Sequence, residues 1–372
     1  MYAPIPMIPG PTTIHPDVLA AMAKDYGSGQ VESEFLALYA DVGRSLARFM
    51  ATDNDVVLMT GEGMLALWAG LKSCLKPGDP VLCLSTGVFG EGMGEMAASI
   101  GCRVETLSLP FNSVIGNGDS LERIEEAIRR FKPVMITVVH CETPSGTLNP
   151  MKEIGRLKQE YDVPLLFVDA VASLGGVPVR MNDWNIDLLL GGSQKCLSAP
   201  PSMSIIGVSR AAWRRMEEVG YQGYDSILPF RNVQKAGRCP YTPYWHGLAA
   251  LRATLDLMEA EGEEAIYARH EKVALLCRGG LRSLGLELFP LPDAVHSPTV
   301  TAALVPEGWV WPGWRRTLRD RGLVVGGSFG PMEGKVFRLG HMGMQADEKL
   351  VSKALDVIGR ALEKTDDWYP PQ

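Results

Sequence analysis

Long apolar runs are missing from this chain: none approaches the roughly 20 residues that a helix needs to cross a bilayer. Basic clusters are scarce as well. The 36 Lys and Arg are scattered, with short groups such as Trp314-Arg315-Arg316, and the net charge is −7 with a pI near 5.5. That balance argues against a nucleic-acid groove or an anionic lipid surface as the main partner, although one or two buried arginines suffice for a small anion. No C-x-x-C pair occurs, and the seven cysteines (74, 83, 102, 141, 196, 239 and 277) are odd in number and mostly within apolar stretches. They read as reduced thiols of a cytoplasmic protein, with neither a zinc site nor a disulfide framework. The six histidines do not approach metal-ligand spacing. Residues 1–11 hold four prolines and no basic stretch, so no secretory signal is expected there. What is present is ordinary globular composition, 46% hydrophobic and 21% charged over 372 residues. That excludes disorder and allows a large domain with a smaller companion.

The first residues read as an extended, Pro-rich arm, placed at 1–20. Phe35, Leu38, Tyr39, Val42, Leu46 and Phe49 then recur at helical spacing across 32–50. Short apolar runs follow at 55–60, 81–85, 103–109, 134–140, 165–168, 186–190 and 204–208, several separated by helical stretches. Asp119 and Glu122 suit an N-cap and a capping box for one of those helices. Near-continuous apolar strands joined by helices predict an α/β domain, a mostly parallel sheet covered on both faces, over 21–250. From 242 to 285 the pattern is almost wholly helical. Strand-like runs at 286–289, 299–305 and 336–339 and a helix over 347–363 follow, predicting a smaller C-terminal α+β domain over 251–372.

Two strand ends carry chemistry. Phe167-Val168-Asp169 closes an apolar run on a carboxylate, and Gly191-Gly192-Ser193-Gln194-Lys195 delivers an amine from a small-residue loop. Open α/β sheets bind ligands at the carboxyl ends of their strands. The pair allows two readings: a structural ion pair, or a Schiff-base lysine with a carboxylate that holds a cofactor's pyridinium nitrogen.

Asp169-Ala170-Val171-Ala172-Ser173, Gly192-Ser193-Gln194-Lys195-Cys196-Leu197-Ser198-Ala199-Pro200-Pro201, Pro9-Gly10-Pro11 and Arg338-Leu339-Gly340 resemble, in order, the class V aminotransferases of pyridoxal-phosphate fold type I. The similarity is greatest to the alanine/serine–glyoxylate group and to its pyridoxamine–pyruvate relatives. The resemblance implies a homodimer with shared active sites, working on a small-molecule amino donor and a 2-oxo acid. It implies that Lys195 makes the imine link and shuttles the proton, and that Asp169 pairs with the pyridine nitrogen. Val171 and Phe89 would cover the two ring faces, Thr143 would contact the phenolic oxygen, and Arg338 would clamp the substrate carboxylate. Pro9, Gly10 and Tyr26 would complete the substrate side.

At the phosphate end the sequence departs from that pattern. Gly61-Glu62-Gly63-Met64 occupies the phosphate turn, with Glu62 and Met64 where the glyoxylate enzymes have serine and histidine. Gln194 is retained, as is Thr242, expected from the partner subunit, but Cys239 replaces a tyrosine. A carboxylate repels a phosphate dianion, and the pyridoxamine–pyruvate enzymes, which bind the unphosphorylated vitamin as substrate, carry a similar Gly-Glu turn. A second arginine of those enzymes is replaced by Phe329. The expected activity is therefore amino transfer to pyruvate or glyoxylate. The donor is either free pyridoxamine or a small L-amino acid with pyridoxal 5′-phosphate as cofactor, and no metal is expected. Three rival readings compete: a nicotinamide dehydrogenase built on Gly61-Glu62-Gly63-Met64-Leu65-Ala66 and Asp79, a cysteine desulfurase, and a non-catalytic binding protein.

Overall fold

The computed structural model describes residues 5–27, 29, 30 and 32–363. Seven strands form the larger sheet, in the order Asp55–Thr60, Met203–Val208, Leu188–Gly192, Leu165–Asp169, Met135–Val139, Pro80–Ser85 and Arg103–Ser108. Met203–Val208 runs antiparallel to both its neighbours, and the other pairings are parallel. The central strands are apolar at nearly every position because both faces are covered. Ile136, Val138, Leu166, Val168 and Leu189 pack into one core with Phe35, Val42 and Leu46 of helix Ser33–Phe49. The residues between them, Met135, Leu165, Phe167, Leu188 and Leu190, face the opposite core with Leu67 and Leu71 of helix Gly63–Cys74. Successive side chains alternate across a strand, so a strand buried on both sides has no polar positions to spare. The edge strand Arg103–Ser108 is half-exposed and carries Arg103 and Glu105.

The smaller sheet has the order Ile5–Met7, Leu323–Gly327, Val336–Gly340 and Val300–Leu304. The expected Pro-rich arm thus supplies a three-residue strand to it, paired in parallel with Leu323–Gly327. Pro6 has no N–H to donate, which an edge position tolerates. Helices Glu263–Ser283, Trp311–Asp320 and Glu348–Leu362 close this core through Val273, Cys277, Trp314, Leu318, Val351 and Ile358.

Two local expectations are corrected. The helix beginning at Ser120 has no capping box. Asp119 adopts φ −88°, ψ 15° rather than an extended cap, and its side chain accepts no helix N–H. The 286–289 run is not a strand: it makes a lone bridge between Leu288 and Ala303, too little pairing to extend a ladder.

Candidate active site

Because Asp55–Thr60, Leu188–Gly192, Leu165–Asp169 and Met135–Val139 all point the same way, the loops after them converge on one edge of the sheet. Glu62, Gly63, Met64, Phe89, Thr143, Asp169, Val171, Gln194 and Lys195 line a single cleft there, of about 590 Å³. Gly63 is required by proximity, since a Cβ on it would lie 2.9 Å from Val171.

Asp169 is buried at the end of its strand, and its Oδ1 accepts the Val171 N–H at 2.8 Å. Burial pushes its carboxyl up to about 6, opposed by that hydrogen bond and by Lys195, and assisted by Glu62. Lys195 Nζ donates to Pro9 O at 2.6 Å. Burial, with the Arg338 charge nearby, lowers its pKa, the direction that makes its proton easier to lose. The arm is stitched to this loop: Thr12 N–H donates to Gln194 O at 3.1 Å and the Thr12 hydroxyl to Lys195 O at 2.9 Å. Gly10 has φ +89°, and a Cβ there would meet Lys195 Cδ at 2.5 Å, so only glycine leaves the lysine room.

Arg338 is 5% exposed. Its Nε donates to Gly327 O at 2.7 Å, and its Cζ lies 4.8 Å from the centre of the Phe329 ring. Among the described residues no carboxylate pairs with it, and burial pushes its pKa down to about 10.

At the remaining end, Glu62 is the N-cap of helix Gly63–Cys74. Its Oε1 accepts the Met64 N–H at 3.0 Å and its Oε2 accepts Gln194 Nε2 at 2.9 Å. Gln194 Oε1 is buried without a partner among the described residues. The helix N-terminus that would attract a phosphate is thus capped by the chain's own carboxylate, beside an orphaned acceptor. The pyridine end of the cleft fits a pyridoxal ring, with a carboxylate, an amine and covering side chains. The Glu62 end presents acceptors, and so fits a hydroxyl donor and not a phosphate dianion.

Two expected residues lie elsewhere. Thr242 lines a separate aromatic pocket with Tyr39, Cys239, Tyr241 and Tyr244. Tyr26 stacks on Trp245 at 5.4 Å and donates its hydroxyl to Ala21 O. Gly61 shapes the turn below the cleft, with φ +148°. Glu142 was not singled out from the sequence, although a carboxylate just after a fully buried strand was the available signal. It is fully buried, and its carboxyl accepts the N–H of Gly90 at 2.7 Å and of Phe89 at 3.4 Å. Gly87, the N-cap of helix Val88–Ser99, has no side chain to do this. Glu142 therefore caps from the neighbouring hairpin the helix that presents Phe89.

Burial pushes the Glu142 carboxyl up to about 8. The native state then holds a proton that the unfolded chain releases above roughly 4.3. Stability from this group falls as pH rises through that window and levels off above about 8. Relative to Glu142→Gln, which cannot ionise, the wild-type melting temperature should decline between pH 5 and pH 8. A difference that stays flat with pH would show that Glu142 is ionised throughout.

The two rival enzyme readings find no support in the geometry. Asp79 precedes strand Pro80–Ser85, at the edge of the sheet opposite the cleft, and is paired with Arg215 at 2.5 Å rather than free for a ribose. Cys277 is fully buried in helix Glu263–Ser283 and its thiol is pushed up to about 12, so it offers no mobile thiolate. Among the described residues no cluster of His, Cys, Asp or Glu could hold a metal, and no helix is long and apolar enough to cross a membrane.

Residues 8–322 match the family described as aminotransferase class-V. An uncharacterised aminotransferase of Methanocaldococcus jannaschii is 36% identical over 96% of this chain and 92% of its own length. Pyridoxamine–pyruvate transaminase of Mesorhizobium japonicum is 32% identical, covering 96% and 91%. The crystal structure of an alanine–glyoxylate aminotransferase from Nostoc sp. superposes with a TM-score of 0.91 at 28% identity, covering 98% and 96%. Extended similarity of sequence and fold, together with a half-buried lysine and a buried aspartate lining one cleft at the sheet's carboxyl edge, makes this chain a member of the pyridoxal-phosphate-dependent class-V aminotransferases.

Proposed function

We propose that this aminotransferase takes its amino group from unphosphorylated pyridoxamine and passes it to a small 2-oxo acid such as pyruvate. The observation that carries this reading is Glu62, pinned by Met64 N–H and Gln194 at the helix N-terminus where a phosphate would otherwise sit. A hydroxymethyl group can donate to Glu62 or to the unpaired Gln194 Oε1; a dianion cannot. The Mesorhizobium relative is named for the same pair of substrates.

A bound pyridoxal ring supplies an electron sink for the carbon that gains or loses the amino group. The chain's own groups do the rest. Asp169 would hold a proton on the pyridine nitrogen, which lets such a ring draw electrons. Val171 and Phe89, which line the cleft, would flank the ring, and Thr143 would be placed for its phenolic oxygen. Lys195, with its lowered pKa, takes and returns the proton at the reacting carbon. Arg338 presents its two terminal nitrogens to the 2-oxo acid's carboxylate. Pro9 and Gly10 hold the lysine in place.

A homodimer agrees with the position of Thr242 and Tyr26, both displaced from this chain's own cleft. Seven free cysteines agree with a cytoplasmic location.

Competition between pyridoxal and its phosphate tests the donor. Wild type should favour the unphosphorylated form, because the charge-assisted hydrogen bond at Glu62 is worth roughly 1.5–3 kcal/mol. Glu62→Ser should reverse the order. A ratio unchanged by the substitution overturns the proposal and leaves a small L-amino acid as donor, with pyridoxal phosphate resident.

A further inference from the structure

Beside Arg338 lies a side chain that the chemistry above does not use. Phe329 is 49% exposed although one face of its ring covers the buried Arg338 guanidinium. The turn that carries it is tied down on two sides. Ser328 is buried and donates its hydroxyl to Pro144 O at 2.8 Å, next to cleft-lining Thr143. Gly330 approaches Val88 so closely that a Cβ would lie 3.1 Å from it, next to cleft-lining Phe89. Arg338 Nε is spent on Gly327 O. With one guanidinium face covered, the edge formed by Nη1 and Nη2 remains for a carboxylate, and the open side of the Phe329 ring lies beside whatever that carboxylate carries. Among the residues lining the cleft the cation is Lys195, which the chemistry above already uses, and the others charged are the carboxylates Asp169 and Glu62. A second carboxylate thus finds no unassigned cation there and faces the aromatic surface of Phe329.

We infer that Phe329 determines acceptor specificity, selecting 2-oxo acids whose other substituent is uncharged and apolar and excluding 2-oxo diacids. The inference rests on the reading of Arg338 as the carboxylate clamp. An unpaired carboxylate at a half-buried apolar wall loses hydration without gaining a partner, whereas an alkyl group gains contact with the ring.

Butyrate and succinate test this, since they differ in a terminal methyl against a terminal carboxylate and neither can react. Their affinities for the protein loaded with pyridoxal, measured by calorimetry, should differ by about tenfold or more in favour of butyrate. Phe329→Arg should invert the order, and Phe329→Leu, an apolar replacement of similar bulk, should keep it. Equal affinities in the wild type, or a ratio that Phe329→Arg leaves unchanged, overturn the inference. Arg338→Ala separates the two levels: it should remove binding of both acids. Undiminished butyrate binding there would remove the clamp itself, and with it the ground for the inference.

Discussion

Replacing Lys195 by alanine should lower transamination by roughly 10⁴-fold or more, since general acid–base transfer alone contributes up to about that factor and the covalent role is lost with it. The fold should survive. Lys195 contributes one hydrogen bond, to Pro9 O, and the arm stays attached to the loop through Thr12. Its removal also takes away the cation that opposes the upward push of burial on the Asp169 carboxyl, so that group should become easier to protonate in the variant. Circular dichroism and melting temperature check the fold, and single-turnover rates with pyridoxamine and pyruvate check the chemistry. A variant that folds and turns over near the wild-type rate would remove Lys195 from the mechanism.

Arg338→Lys should raise KM for every 2-oxo acid by roughly 10- to 100-fold, the loss of one charge-assisted hydrogen bond of about 1.5–3 kcal/mol. A guanidinium serves three neighbours at once: Nε satisfies Gly327 O, its face stacks on Phe329, and its far edge is left for a carboxylate. An ammonium has no such fork and cannot keep Gly327 O while gripping two carboxylate oxygens. Pyridoxal carries no carboxylate, and its affinity should stay within about twofold. Equal losses for pyridoxal and the 2-oxo acid would make Arg338 a structural residue of the small sheet.

The larger sheet was legible because burial on both faces writes itself into the chain as apolar runs. Residues 165–168 and 204–208 could hardly be anything but central strands. The small sheet was harder to read. Its edge strand Ile5–Met7 is three residues long with a proline in the middle, and Leu323–Gly327 ends in two glycines. Neither carries a local pattern: Ile5–Met7 exists because it pairs with Leu323–Gly327, which in turn pairs with Val336–Gly340.

The site divides along the same line. Lys195 and Asp169 could be singled out from residue type and position at strand ends, because the carboxyl edge of a parallel sheet gathers its loops whatever their sequence, whereas Glu62 stood out only as a departure from the family's phosphate turn. Three contacts needed the tertiary structure: the Pro9 carbonyl on Lys195, Glu142 capping the helix of Phe89, and the Phe329 ring on Arg338. Each joins residues separated by 9 to 186 positions, through a hydrogen bond or a stacked face. Sequence patterns report only the periodicity of burial along a single element. The identity of a distant partner is set by how the two sheets and their loops come together, so the chemistry of the amine was visible in the chain while its neighbours were decided by packing.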